Sequence, residues 1–132
     1  MLVLDASVLV EYLTESDLGQ RVSRRLDEHD GWFWAPAVVD AEVGHALRAG
    51  VRRQEIVPAR AEGALDDLMA MQLERVSHRF LAERSWQLRD NLSFYDGLYV
   101  ALAEALDAPL LTFDARLAKA PGVHAEVEVI PV

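Results

Sequence analysis

Asp5, Glu42, Asp96 and Asp114 are the residues of this chain whose type and placement allow chemistry in common. Asp5 closes the apolar run Met1-Leu2-Val3-Leu4, and Asp114 closes a second run, Leu110-Leu111-Thr112-Phe113. Glu42 and Asp96 lie between them, in segments of helical pattern. Open α/β folds bind ligands outside the carboxyl ends of their strands, which is where two of these acids fall. Carboxylates gathered in one pocket repel each other unless positive charge sits among them. A hard divalent cation such as Mg²⁺ or Mn²⁺ prefers oxygen ligands and meets that need. A cation so held activates water and polarises a phosphoryl oxygen, which is how many nucleases cut phosphodiesters.

Each acid also has a plainer role open to it. Asp5 and Asp114 stand where a helix or turn begins and suit an N-cap. Ser93-Phe94-Tyr95-Asp96 has the form of a capping box, with an acid in the first helical turn. Glu42 has no such role, because it lies mid-helix beside the apolar stripe Val39, Val43, Ala46, Leu47, Gly50. It shares a side with Val38, His45 and Ala49, whereas Asp40 points the other way. An inward Glu is costly unless it is paired or metal-bound. Shared cation binding accounts for the four acids together. Ser7 and Thr112 stand two residues from Asp5 and Asp114 and would orient those carboxylates as hydroxyl donors. The alternative is that Ser7 stabilises a helix start and Thr112 is a β-branched strand residue.

The elements that position these residues follow from periodicity. Leu2–Leu4 and Leu110–Thr112 read as buried strands, with further strands at Trp32-Phe33-Trp34, Leu73–Val76 and Val127–Ile130. Helices are expected from Asp5 to about Leu13, from Asp17 past Leu26, and from Pro36 in a first turn onward. Others are expected over Ile56–Met71, Arg79–Arg89 and from Ser93 through Ala105. Strands alternating with helices give a three-layer α/β/α sandwich around a mainly parallel sheet, one domain over residues 1–132.

Composition narrows the function classes. The chain has 132 residues, no cysteine and a net charge of −9. Disulfides and thiolate zinc sites are excluded, and a cytoplasmic protein is expected. No apolar run approaches a membrane span, and no signal-peptide pattern opens the chain. The acidic balance argues against non-specific nucleic-acid binding, although Arg24, Arg25, Arg48, Arg52, Arg53, Arg60 and Arg116 are candidates for a local basic rim. The scattered His29, His45, His78 and His124 lack zinc-helix spacing. Trp32, Phe33, Trp34, Trp86, Phe94 and Tyr95 could stack bases, with core packing the expectation for most.

Four segments in order resemble one family. Val3-Leu4-Asp5-Ala6-Ser7-Val8-Leu9-Val10-Glu11 resembles the start of PIN-domain ribonucleases, specifically the VapC toxins of VapBC toxin–antitoxin pairs. Ala35–Val43, Ser93–Ala103 and Leu110–Leu117 resemble that family's second, third and fourth acidic motifs. The resemblance implies a metal-dependent ribonuclease that uses Asp5, Glu42, Asp96 and Asp114 with Mg²⁺ or Mn²⁺. It also implies an RNA substrate, a homodimer and a small VapB-type antitoxin. Some members carry a further acid or amide just past the fourth motif. Here Ala115 and Arg116 stand there, which removes support for a second metal and leaves Arg116 as a phosphate contact. Dimerisation rests on the resemblance; apolar residues on the 56–71 and 79–89 helices are open both to dimer contact and to core packing. Two other readings stay open at this point: a phosphoryl-transfer domain of receiver or haloacid-dehalogenase type, and a PIN-like module that binds without cutting. The first lacks its acidic pair or Asp-x-Asp, since this chain has Asp5-Ala6-Ser7.

Overall fold

A computed structural model describes all residues, Met1–Val132. Five short strands form one parallel sheet: β1 (Leu2–Leu4), β2 (Phe33–Pro36), β3 (Leu73–Val76), β4 (Leu110–Thr112) and β5 (Val127–Val129), in the order β3-β2-β1-β4-β5. The central strands β1 (Leu-Val-Leu) and β4 (Leu-Leu-Thr) are wholly buried, as strands covered on both faces must be. Helices α1 (Ala6–Leu13), α2 (Asp17–Asp27), α3 (Val39–Arg52), α4 (Pro58–Ala70), α5 (Ala82–Gln87), α6 (Phe94–Leu106) and α7 (Ala115–Lys119) cover the sheet. This is the three-layer α/β/α sandwich expected from the sequence, with one continuous core from Leu2 to Ile130.

Strand order matters for function. The chain steps from β1 outward to β2 and β3, then crosses back to lay β4 against the other side of β1. Direction reverses between β1 and β4, and loops leave the sheet there in opposite senses and open a crevice. Asp5 follows β1 and Asp114 follows β4, so both stand at that crevice. The Asp5 N–H donates to the Leu111 carbonyl at 3.0 Å, which sets the two strand ends side by side.

Several boundaries differ from the sequence expectation. Pro36 ends β2 instead of opening a helix, and it lies beyond Trp34, the last β2 residue in register with β1. A ring nitrogen without a proton is harmless there, and α3 begins at Val39. The helix expected from Ile56 begins at Pro58, because the residue before proline, Val57, is extended. Pro58 then takes the first turn, where no N–H is needed. The helix expected over Arg79–Arg89 is broken. A 3₁₀ turn, His78–Phe80, capped by the Ser77 hydroxyl, precedes α5, and the buried Leu81 joins the two. The core-packing expectation for the aromatics fails for Trp32, Trp86, Phe94 and Tyr95, which are exposed. No helix is long and apolar enough to cross a membrane.

Candidate active site

Asp5 occupies the N-cap position of α1, but its carboxylate does not cap the helix. It turns inward, only 8% exposed, and accepts the Thr112 hydroxyl at 2.7 Å and the Ser7 hydroxyl at 2.8 Å. The two hydroxyls expected to orient Asp5 and Asp114 therefore meet on Asp5. Thr112 still serves its second neighbour, because its Oγ1 accepts the Asp114 N–H at 3.0 Å. The Ser7 oxygen likewise accepts the Phe113 N–H at 3.4 Å. One small network thus joins the ends of β1 and β4.

Glu42 stands in the first turn of α3 and not mid-helix as its sequence pattern suggests, because α3 begins only at Val39; it is half-buried beside the core stripe Val39, Val43 and Leu47. The buried Tyr99 hydroxyl donates to its Oε1 at 2.7 Å. Asp40 faces elsewhere, as helical spacing predicts. Arg75 grips it with two bonds, Nε to Oδ2 at 2.7 Å and Nη2 to Oδ1 at 2.9 Å. Asp96 lies in the first turn of α6, where its N–H is capped by the Ser93 hydroxyl at 3.1 Å. The capping reading is correct for that backbone group, while the Asp96 carboxylate remains part of the acidic site.

The electrostatics connect the acids into a row. Burial pushes the Asp5 carboxyl up from its ordinary value against the pull of Thr112 and Ser7, and the charge of Asp114 adds to the rise. Burial also raises Glu42, and the charges of Asp5 and Asp96 raise it further. Asp96 is raised by burial first and then by Asp5, with Asp114 adding and Arg116 opposing. Asp114 behaves differently, since bonds from the Arg116 side chain hold it below its ordinary value. Arg116 reaches both oxygens of Asp114, with Nη2 at 2.5 Å from Oδ2 and Nε at 3.0 Å from Oδ1, while its N–H donates to Oδ1. Asp114 thus caps α7 as the plainer reading has it.

Of the arginines considered for a basic rim, Arg116 alone stands at the acids. Arg25 pairs with Glu128 and Arg60 with Glu15. A groove of about 480 Å³ runs past Asp96 and is lined by Ser93, Asp96, Arg116 and Lys119 among others. A wider cleft, about 850 Å³, lies away from the acids, between α1, α3 and α4, where Leu13, Ala46, Ile56 and Ala64 line it. His45 is exposed on α3 and does not line the site. Tyr99 is the site residue that composition did not single out. Its only sequence signal is its position three residues after Asp96, which places both on one face of α6.

The donor set is all oxygen, and its members repel each other, as a hard cation's site requires. No three acids converge closely enough to cage an ion by themselves. The arrangement fits a largely hydrated Mg²⁺ or Mn²⁺ that takes one or two carboxylates directly and meets the others through water.

A PIN-domain model matches residues 2–123. The chain is 46% identical over 129 residues to ribonuclease VapC1 of Mycobacterium tuberculosis, covering 97% of this chain and 96% of that one. It is 38% identical over 130 residues to ribonuclease VapC12 of the same organism, covering 98% and 99%. Among solved structures, a toxin–antitoxin complex from Klebsiella pneumoniae matches in fold with a TM-score of 0.66 at 17% identity, over 98% of this chain and 97% of that one. The chain belongs to the PIN-domain family, in its VapC branch. The receiver and haloacid-dehalogenase readings fall with that membership.

Proposed function

We propose that this protein is the toxin of a type II toxin–antitoxin pair, a ribonuclease that hydrolyses RNA phosphodiester bonds with Mg²⁺ or Mn²⁺ at Asp5, Glu42, Asp96 and Asp114. The observation that carries the reading is the row of mutually repelling carboxylates at the β1–β4 crevice, where burial and neighbouring charge raise Asp5, Glu42 and Asp96 together. The printed names of the VapC relatives support the ribonuclease activity.

Asp5 and Asp96 are the direct ligands in this reading, with Asp114 and Glu42 acting through water. When bound, the cation supplies a lowered water pKa and charge neutralisation at the scissile phosphate. Ser7 and Thr112 favour the ionised form of the Asp5 carboxylate and fix its orientation. Glu42 is the better general base of the two left open by the sequence. Tyr99 engages one of its oxygens, and burial raises its pKa toward the working range. Asp114 has both oxygens engaged by Arg116 and titrates low, which makes it a weak base. Arg116 is exposed at the mouth and, with Lys119 in the adjoining groove, is the basic group available to a backbone phosphate.

The reading also requires two protein partners, a VapB-type antitoxin and a second copy of the chain. Two apolar surfaces are available to them. One carries the exposed Val57, Leu65 and Met69 at α4, and the other carries Phe80, Trp86, Phe94 and Tyr95 around α5 and the start of α6.

Antitoxin-free protein incubated with a panel of structured RNAs tests the activity, with Mg²⁺ or Mn²⁺, with chelator, and beside Asp96→Asn. Cleavage that needs both metal and Asp96 is expected. Cleavage that survives chelation, or full turnover by pure Asp96→Asn, would refute the mechanism. Tight Mn²⁺ binding with no cleavage of any RNA would favour a binding module.

A further inference from the structure

We propose that Tyr99 is a positioning residue of this site: its hydroxyl pins one oxygen of Glu42 and so holds that carboxylate in one orientation at the acidic site. The inference rests on the ribonuclease reading of the same acids. It begins from the geometry of a single bond, 2.7 Å from the phenol oxygen to Oε1, between residues 57 positions apart in the chain. Tyr99 is almost fully buried, at 1% exposure, while Glu42 is only half-buried. The donor is therefore rigid and the acceptor is the group that needs holding.

A buried phenol must have an acceptor, and a backbone carbonyl would satisfy it without placing a charge in the core. Here the acceptor is instead a carboxylate that also feels Asp5 and Asp96. A glutamate has three rotatable side-chain torsions, and left free it would swing away from its like-charged neighbours into solvent. The Tyr99 bond opposes that movement. The hydroxyl is Glu42's one side-chain donor. Tyr99 and Asp96 lie on one face of α6, so the helix that supplies one acid also fixes the orientation of another. With Oε1 engaged by Tyr99, Oε2 is the oxygen without a side-chain donor and the freer of the two to meet an ion or a water.

Tyr99→Phe removes the hydroxyl and keeps the ring, so packing is preserved. Expected results are an unchanged fold by circular dichroism, a kcat for RNA cleavage reduced about tenfold to a hundredfold, and a KM within about twofold of wild type. Mn²⁺ affinity, measured by calorimetry without RNA, should weaken about tenfold. The same Tyr99→Phe change made in a Glu42→Gln background should have little further effect on Mn²⁺ affinity, since the group it acts through is already altered. A Tyr99→Phe protein with wild-type kcat and wild-type Mn²⁺ affinity overturns the inference while the ribonuclease reading stands. So does an equal loss in both backgrounds, which would mark Tyr99 as a packing residue. If wild type neither cleaves RNA nor binds Mn²⁺, the inference falls together with the ribonuclease reading.

Discussion

Thr112→Val isolates one hydroxyl at the centre of the site. Valine keeps the β-branched shape that suits β4, so the strand itself should be undisturbed. What is lost is the 2.7 Å bond to the buried Asp5 carboxylate and the acceptor of the Asp114 N–H at 3.0 Å. A hydrogen bond to a charged group contributes about 1.5–3 kcal/mol, and a stranded N–H costs about 1 kcal/mol or more when water cannot replace its partner. The added methyl returns up to about 1 kcal/mol of apolar burial. The net loss is then about 2 kcal/mol. For 132 residues the unfolding entropy is about 0.28 kcal/mol/K, which converts that loss to a melting midpoint about 7 °C lower. Calorimetric melting of metal-free protein across pH is the assay. The bond favours ionised Asp5, so the deficit should be fullest well above Asp5's raised pKa and shrink as pH falls through it. A midpoint within about 1 °C of wild type at neutral pH would return Thr112 to the role of an ordinary strand residue. A deficit that does not change with pH would show that the lost bond was not made to a carboxylate.

Two further outcomes follow from the same site. Asp5, Glu42 and Asp96 all titrate higher in the folded chain than in the unfolded one, so between those values the native state binds more protons and stability falls as pH rises. Asp114 acts oppositely, with stability present above its unfolded value and lost as pH falls through its lowered folded value. Metal-free protein should therefore lose stability as pH rises from the ordinary carboxylate range through the raised values of these three acids, and Mg²⁺ should recover the loss at the higher pH. A metal-free midpoint that rises steadily over that interval contradicts the arrangement. Gly97→Ala should destabilise by about 1–3 kcal/mol, because an added Cβ would stand 2.3 Å from the Ser85 Oγ and 3.1 Å from its Cα where α5 meets α6. The strain falls next to Asp96, so cleavage should drop further than stability predicts. Wild-type melting and wild-type rate in that variant would show that the two helices separate freely.

Much of the site was legible because its parts obey local rules. Apolar runs of strand length ending in Asp placed Asp5 and Asp114 at the sheet's carboxyl edge, and β1 and β4 fall where those runs do. Helical spacing distinguished Glu42 from Asp40, and Arg75 on Asp40 shows where the rejected acid went. Ser93 three residues before Asp96 marked the start of α6. Such signals act within a turn or a strand, and a linear sequence carries them whole.

The pairings between elements were not legible in the same way. Thr112 reaches Asp5 across 107 positions only because β4 lies beside β1 in the order β3-β2-β1-β4-β5. Tyr99 reads as one more apolar residue of α6 until that helix is laid over the sheet beside α3. Arg116 reads in the sequence as a phosphate contact, and its hold on Asp114 depends on the short α7 turning it back. The aromatics that hydropathy assigned to the core stand exposed, because a short α5 and the first turn of α6 have no layer above them to bury Trp86, Phe94 or Tyr95. By itself the sequence determined which residues carry charge, where the strands and most of the helices run, and that Glu42 and not Asp40 faces inward. The tertiary structure decided which hydroxyl holds which carboxylate, and which carboxylate remains free to act. That division has a physical cause, since helical and strand periodicity is set within a few residues whereas hydrogen-bond partners are set by the path of the whole chain.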